Sequence, residues 1–384
     1  MGGFLSEKDR ELAAFIDAYR SFMVVPATSL DSLLATGILV KTLINHGWDA
    51  KVTLDPKVVI DYPKDPAILI NLPGVNKQKH VTVESSPEKG SSAAKIVSVL
   101  DSMFGVDKWS KILAIVSGYY RNYYDFERGE FRGVENSILS ELVQSKLVSE
   151  VPALKLWGAK RKNLVSALTR TLLPILPGFT GMPDQALRTV QNVFRVQDPL
   201  TIKYKEIRGD DERGMELLKA IANTVKDPSI LKLILGDFYI NASLLEVQGQ
   251  SEIELSEVAG SLAVYRSLCR KCPYDVVLVP FSSHRISQII SVYDDVADDV
   301  AETIAAQFSS AKLGTPVSTE GVFERPDIVV DVLSYIASLP KDKPITVLLD
   351  QKPYTILSEL LRTGVKPEKA YSSCEPDQLC VLQS

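Results

Sequence analysis

The residues near the start of this 384-residue chain with the means to do chemistry form a short polar run, Thr28-Ser29-Leu30-Asp31-Ser32. It lies between an apolar stretch, Phe22–Ala27, and a segment with Leu33, Leu34, Gly37, Ile38 and Leu43 at helical spacing. A loop between a buried strand and a helix N-terminus is where α/β proteins hold phosphates and metals, because free backbone N–H groups and the helix dipole face outward there. Further polar groups stand at the ends of later apolar runs: Asn71 in Ala67–Leu72, and Glu84-Ser85-Ser86 after His80–Val83. Asp31, Asn71 and Glu84 have the donor types to hold one Mg²⁺ weakly, with His80 and Asp125 as further candidates for a single-metal site. A two-metal clamp needs more carboxylates and imidazoles than this. Each residue also has a bland role: Asp31 as a helix-dipole partner, Ser29 and Ser85 as cap or loop residues, Asn71 as a turn former.

Three other groups invite a chemical reading. Lys155, Lys160, Arg161, Lys162 and Arg170 crowd one segment that has no acidic residue and includes Trp157. Such a patch suits the backbone of single-stranded nucleic acid with a base stacked on the ring; a solvated helix face plus a core Trp suits it equally. Asp294, Asp295, Asp298, Asp299 and Glu302 mark one face of a helix over Tyr293–Phe308, either solvated or docking a basic partner. The four cysteines fall in two pairs, Cys269-Arg-Lys-Cys272 and Cys374-x5-Cys380. Zinc, disulfides and free thiols all remain open, although the second spacing is wide for zinc and intracellular disulfides are typical of hyperthermophiles.

The elements that must position these groups follow from periodicity. Strands are expected at Phe22–Ala27, Trp48–Leu54, Ala67–Leu72 and His80–Glu84, with helices at Glu7–Phe22, Ser91–Phe104 and Asp107–Gly118. Strands alternating with helices indicate a doubly wound, mostly parallel sheet. A helix follows over Asn136–Val151, then a break at Pro174, Pro177, Gly178, Gly181 and Pro183, then further helices over Gln185–Gly260. The last third reads as a strand at Tyr274–Pro280, helices at Tyr293–Phe308 and Asp327–Leu339, a strand at Thr346–Asp350, and a closing helix and strand. With 45% hydrophobic residues the chain exceeds one core, and the expected division is 1–150, 151–265 and 266–384. Lys and Arg number 43 against 48 Asp and Glu, a net charge of −5, so any nucleic-acid contact must be a local patch. Apolar runs stop short of a membrane span and no cleavable leader pattern is present, so a cytoplasmic protein is expected. The opening MGGFLS does match an N-myristoylation pattern at Gly2, although the following amphipathic helix reads as part of the domain.

Strand, loop, helix and strand over Phe22–Leu54 resemble the first motif of the DHH phosphoesterases, the family of the RecJ exonuclease, where strand and helix flank His-x-Asp-x-Asp-Gly. The His position is Ala27, the first Asp is Ser29, the second is Asp31 and the Gly is Ser32. The ligating Asp of the second motif is Asn71, the Asp-His-His of the third is Glu84-Ser85-Ser86, and the Gly-Asp of the fourth is Gly118-Tyr119. Gly314-Thr-Pro-Val-Ser-Thr-Glu-Gly321 resembles the Gly-Gly-His-Pro-x-Ala-Ala-Gly loop of the smaller DHHA domain. There Gly314, Pro316 and Gly321 remain while Thr315 replaces the His.

The motifs stand in family order and all are depleted. The resemblance therefore implies a DHH-type α/β domain, a helical connector and a DHHA-type α/β domain. It also implies the inactive, RecJ-like branch of replication factors that includes the eukaryotic cell-division-cycle protein forty-five and its archaeal counterparts. On that reading the protein is a non-enzymatic, chromosome-associated scaffold without a cofactor. Its partners are the GINS complex and the MCM helicase, and it guides single-stranded DNA. The alternative is an atypical, active nuclease or phosphoesterase that uses one metal at Asp31, Glu84 and His80 or Asp125.

Overall fold

The computed structural model describes residues 6–125, 127–203, 211–241, 252–312, 317–318, 321–334 and 342–382. Gly2, Gly314, Thr315 and Pro316 lie outside them; Gly321 lies inside, at a turn with φ +82°.

The first helix, α1 (Glu7–Ala18), is fixed at its start by a capping box in which Ser6 and Asp9 exchange hydrogen bonds. After it come β1 (Ser21–Pro26), α2 (Leu30–Asn45), β2 (Asp49–Val52), α3 (Val58–Asp61), β3 (Ala67–Ile70), β4 (His80–Val83), α4 (Ser92–Met103) and α5 (Lys108–Tyr120). The strands form one parallel sheet in the order β2-β1-β3-β4. Its central strands are apolar on both sides, as a sheet covered on both faces requires. Val24, Ile68 and Ile70 face the large cluster built with the long helices. Their neighbours Val25 and Leu69 face a second cluster with Leu357, Leu360, Ala370 and Tyr371 from the C-terminal region. The sheet is thus covered by helices from both ends of the chain.

A short hairpin, β5 (Tyr124–Asp125) and β6 (Glu130–Phe131), leads to α6 (Glu135–Gln144) and β7 (Val148–Leu154). The helix expected over Asn136–Val151 is therefore shorter than its apolar pattern suggests. Lys146 adopts a left-handed φ of 57°, and the Lys146 and Leu147 N–H groups return to the Val143 and Leu142 carbonyls. That is a Schellman closure, which ends the helix just before the β-branched Val148.

Next come α7 (Leu164–Arg170), α8 (Pro183–Phe194), α9 (Asp211–Val225), α10 (Pro228–Leu233), β8 (Leu235–Asn241) and β9 (Glu252–Glu254). The connector is not wholly helical: β7, β8 and β9 form an antiparallel sheet. Phe238, Tyr239 and Ile240 supply the aromatic and β-branched run that prefers a strand. The helices here have their own core around Leu168, Phe179, Val190 and Ile221.

The last third contains α11 (Leu255–Leu268), α12 (Cys272–Val277), α13 (His284–Lys312), β10 (Val317–Ser318), α14 (Asp327–Ser334), β11 (Val347–Leu349), β12 (Lys352–Ile356), α15 (Leu357–Arg362), α16 (Pro367–Ser373) and β13 (Leu379–Val381). The strands make a mixed sheet, β10-β11-β12-β13. The strand expected at Tyr274–Pro280 is instead α12 and a 3-10 turn, Val279–Phe281. Pro273 in the first turn favours a helix, and a tertiary contact holds it: the Val277 carbonyl sits against Gly37 of α2. The expected boundary at residue 265 falls inside α11, whose Val258, Leu262 and Val264 are buried in the cluster that also contains β1 and α2.

A Cβ on Gly37 would stand 2.1 Å from the Val277 oxygen and 2.8 Å from Pro280 Cγ. Gly37→Ala should therefore destabilise the fold by about 3 kcal/mol in urea unfolding. An unchanged midpoint would show that the α2–α12 contact is not close-packed.

Candidate functional site

Asp31 stands in the first turn of α2, completely buried, with its carboxylate turned away from solvent. Ser29 N-caps the helix, accepting from the Ser32 N–H at 3.3 Å. Asp31 Oδ2 accepts from the Ser92 N–H at 3.1 Å, and Oδ1 accepts from the Ala93 N–H at 3.1 Å. These are the first-turn amides of α4, where the helix dipole favours a negative charge. Ser117 of α5 donates its hydroxyl to Oδ1 at 2.6 Å, Asn71 donates to Oδ2 at 3.2 Å, and Arg121 Nε lies 3.5 Å away.

Asn71 ends β3 with a left-handed φ of 55°. Its amide nitrogen donates to Asp31 and also to Ser32 Oγ at 2.9 Å, while its oxygen accepts from the Ser85 N–H and hydroxyl at 2.8 and 3.1 Å. Asp31, Ser29, Asn71 and Ser85 are thus brought together as the sequence motifs suggest, but they bond to one another and to the backbone. Ala27 is buried, its N–H extending the β1–β3 ladder to the Ile70 carbonyl. Ser86 forms a tight turn with Gly90. Tyr119 is buried under the Lys155 ammonium, 4.1 Å from its ring centre.

The candidates for a single-metal site do not face one point. The exposed Glu84 carboxylate pairs with Lys8 at 3.0 Å. The buried His80 accepts from the Val75 and Asn76 N–H groups through Nδ1, both at 3.3 Å. Asp125 pairs with Arg132 at 2.7 Å. Among the described residues no group of three or more His, Cys, Asp or Glu is placed to hold a metal. Beside Glu84, a cavity of about 280 Å³ lies between α1 and β4, with Lys89, Lys95 and Arg132 set against Asp9 and Glu88.

Two residues that the sequence analysis passed over hold the site. Glu135 is fully buried; its Oε1 accepts the Ser91 N–H at 2.6 Å, and its Oε2 has no hydrogen-bond partner among the described residues. Gly90, Gly118 and Gly133 close around it so tightly that a Cβ on any of them would stand within 2.7 Å of a carboxylate oxygen. Burial pushes its pKa up; the Ser91 hydrogen bonds act in the opposite direction. The visible signal was glycines flanking motif positions, which mark close backbone approach. Arg266 is buried as well, donating to the Thr28 carbonyl at 2.6 Å and to the Tyr120 hydroxyl at 3.0 Å while pairing with Asp331 of α14.

The basic segment takes partners within the chain. Trp157 is buried, packed on Gly260 and edge-on to Tyr293, and so offers no face to a base. Arg161 pairs with Glu257 and Asp294, Lys162 with Asp294 at 3.0 Å, Arg170 with Asp298 at 2.7 Å, and Lys160 with Glu252. In the basic segment, which the sequence leaves open to two readings, Arg161, Lys162 and Arg170 thus meet Asp294 and Asp298 on the acidic face of α13, while Lys160 meets Glu252 and Arg161 also meets Glu257. Burial raises the Asp294 pKa, but hydrogen bonds from Arg161 and Lys162 outweigh it and leave the net shift downward. The cysteines form disulfides, Cys269–Cys272 and Cys374–Cys380. Among the described residues no helix is long and apolar enough to cross a membrane.

No protein-family model and no curated protein sequence matches the chain. Its fold is similar to the crystal structure of CDC45 from Entamoeba histolytica, with a TM-score of 0.61 at 9% identity over 95% of this chain and 90% of that one. RecJ from Thermus thermophilus, solved with Mn²⁺, aligns with a TM-score of 0.35 at 13% identity over 92% of this chain and 48% of that one. The mixed α/β architecture with its parallel sheet is the fold of that CDC45 structure.

Asp31→Ala would leave the Ser92 and Ala93 amides without their acceptor and should cost about 3–5 kcal/mol of stability in urea unfolding. A loss under about 1 kcal/mol would contradict the network. For Glu135, the folded pKa is raised, so its contribution is fully present below the unfolded value of about 4.3 and is lost as pH rises through the folded value. Melting temperature should therefore fall over that window in the parent, and the Glu135→Gln profile should be flatter; parallel profiles would exclude a neutral Glu135.

Proposed function

We propose that this protein is a RecJ-like DNA replication factor that acts by binding rather than by hydrolysis, with the GINS complex and the MCM replicative helicase as partners. The observation that carries the reading is the state of Asp31. A metal ligand must leave lone pairs open toward a shared point, whereas this carboxylate accepts from two α4 amides, a serine hydroxyl and an asparagine amide. The other motif positions, Ala27, Ser29, Asn71, Ser85, Ser86 and Tyr119, carry no second carboxylate, and Glu84 faces Lys8. This donor set does not fit a two-metal centre, and no hydrolytic step is derived through one. The likeness to CDC45 over nearly the whole chain supports the same assignment.

In this reading the eight positions are remnants of a DHH site whose backbone frame is kept and whose open ligands are replaced by internal hydrogen bonds. A frame of this kind suits a rigid surface for assembly. Single-stranded DNA is a ligand of the assembled complex, since the Arg161, Lys162 and Arg170 charges are largely neutralised by α13. The single-metal nuclease remains the second reading, and Asp31, Glu84 and His80 would have to turn toward one another for it.

The test joins two measurements on the full chain: hydrolysis of labelled single-stranded DNA and RNA with Mg²⁺ or Mn²⁺, and co-elution with GINS. No hydrolysis with a stable complex is expected. Metal-dependent hydrolysis that disappears in Glu84→Ala, an exposed position paired with Lys8 at the surface, would overturn the proposal; Asp31→Ala would not discriminate, because it also weakens the fold. The isolated chain should bind single-stranded DNA weakly, with affinity falling less than about tenfold between roughly 50 and 200 mM salt.

A further inference from the structure

Two loops closed by disulfides meet at one ion-pair junction. Cys269–Cys272 joins the end of α11 to the first residue of α12, and Cys374–Cys380 closes the turn between α16 and β13. From the first loop, Arg270 Nη1 reaches Glu375 at 2.6 Å and Asp377 at 3.7 Å, both in the second. From that second loop, Gln378 donates to the Pro26 carbonyl at 2.6 Å and the Leu54 carbonyl at 2.8 Å, the ends of the strand segments beside the Asp31 site.

The two bonds differ in access. Cys272, Cys374 and Cys380 are 4%, 2% and 0% exposed, whereas Cys269 is half-buried. A thiolate must reach one sulfur to exchange with a disulfide, so the first bond, with one partly exposed cysteine, is the more accessible of the two. What this bond holds is also definite. Helix α12 has no side-chain cap, and the segment is fastened by Tyr274 accepting from the Leu54 N–H at 3.3 Å, by the Val277 carbonyl against Gly37, and just past the helix by Trp109 Nε1 donating to the Val279 carbonyl at 3.0 Å.

We propose that Cys269–Cys272 is a thiol-addressable switch that sets how firmly the 269–281 segment grips α2, while Cys374–Cys380 is a permanent brace. The reductant is a dithiol, small or carried on a protein. Its thiolate attacks Cys269 Sγ, the S–S bond breaks, and Cys272 leaves as a thiolate that takes up a proton. The second thiol then attacks the mixed disulfide and expels Cys269. Two electrons and two protons pass to the protein, and the dithiol becomes a disulfide.

The experiment treats the full native chain with dithiothreitol, quenches with iodoacetamide and maps the alkylated cysteines by mass spectrometry. Cys269 and Cys272 should be modified at least about tenfold faster than Cys374 and Cys380, which should need denaturant. Equal rates, the reverse order, or four free thiols in protein purified without reductant would each overturn the proposal. The coupling is read separately by hydrogen exchange on Cys269→Ser/Cys272→Ser: faster exchange is expected over 272–281 and in α2. Unchanged exchange in both segments would leave an accessible bond with no switch.

Discussion

A carboxylate with no exposure to water is costly unless its charge is met from every side, and Asp31 is met by three different elements at once. Two α4 amides, a serine of α5 and the asparagine that ends β3 all point at it. The orientation of α4 to α2 and the left-handed turn at Asn71 are therefore parts of a single hydrogen-bonded set. Glu135 does similar work one layer away, with glycines admitting it and the Ser91 amide binding it. Two acids thus serve the start of α4, Glu135 at the N-cap amide and Asp31 at the next two, and burial pushes the Glu135 pKa up.

Charge is used the same way on a larger scale. An acid-free basic segment and a helix with an acidic face, each unbalanced alone, are brought together by packing, with Trp157 and Tyr293 in contact beneath the ion pairs. Their lack of local counter-ions was information about the tertiary fold. A local charge run names its complement but not whether that complement is in another molecule or in the same chain.

That distinction also separates what could be read from the sequence from what could not. The parallel sheet, α2, α4 and α5 were legible because apolar strands and capped amphipathic helices obey local rules, and Ser29, Ser91 and Asp107 are ordinary N-caps. The motif order located Asp31, Asn71 and Ser85 near one another. The errors came where distant contacts decide. Val276 and Val277 look like a strand but pack as a helix against Gly37; Tyr239 and Ile240 find strand partners that no local pattern reveals; Lys146 ends α6 by a backbone conformation that Lys seldom adopts. For Glu135 only the flanking glycines hinted at a close approach, and Arg266 left no local trace, because the meaning of both lies in which buried carbonyls and amides the finished fold sets beside them.

The hydrogen bonds from Gln378 to Pro26 and Leu54 span more than 320 positions of the chain. On a ribosome, the sheet and its first helices emerge long before the residues that cover their other face, and Val25 and Leu69 stay unpacked until Leu357 and Tyr371 arrive. The N-terminal region must therefore wait, partly apolar and uncovered, for most of the chain to be synthesised. A nascent chain of this kind has a use for a holding chaperone during that interval, and a truncation ahead of residue 357 exposes the same surface permanently.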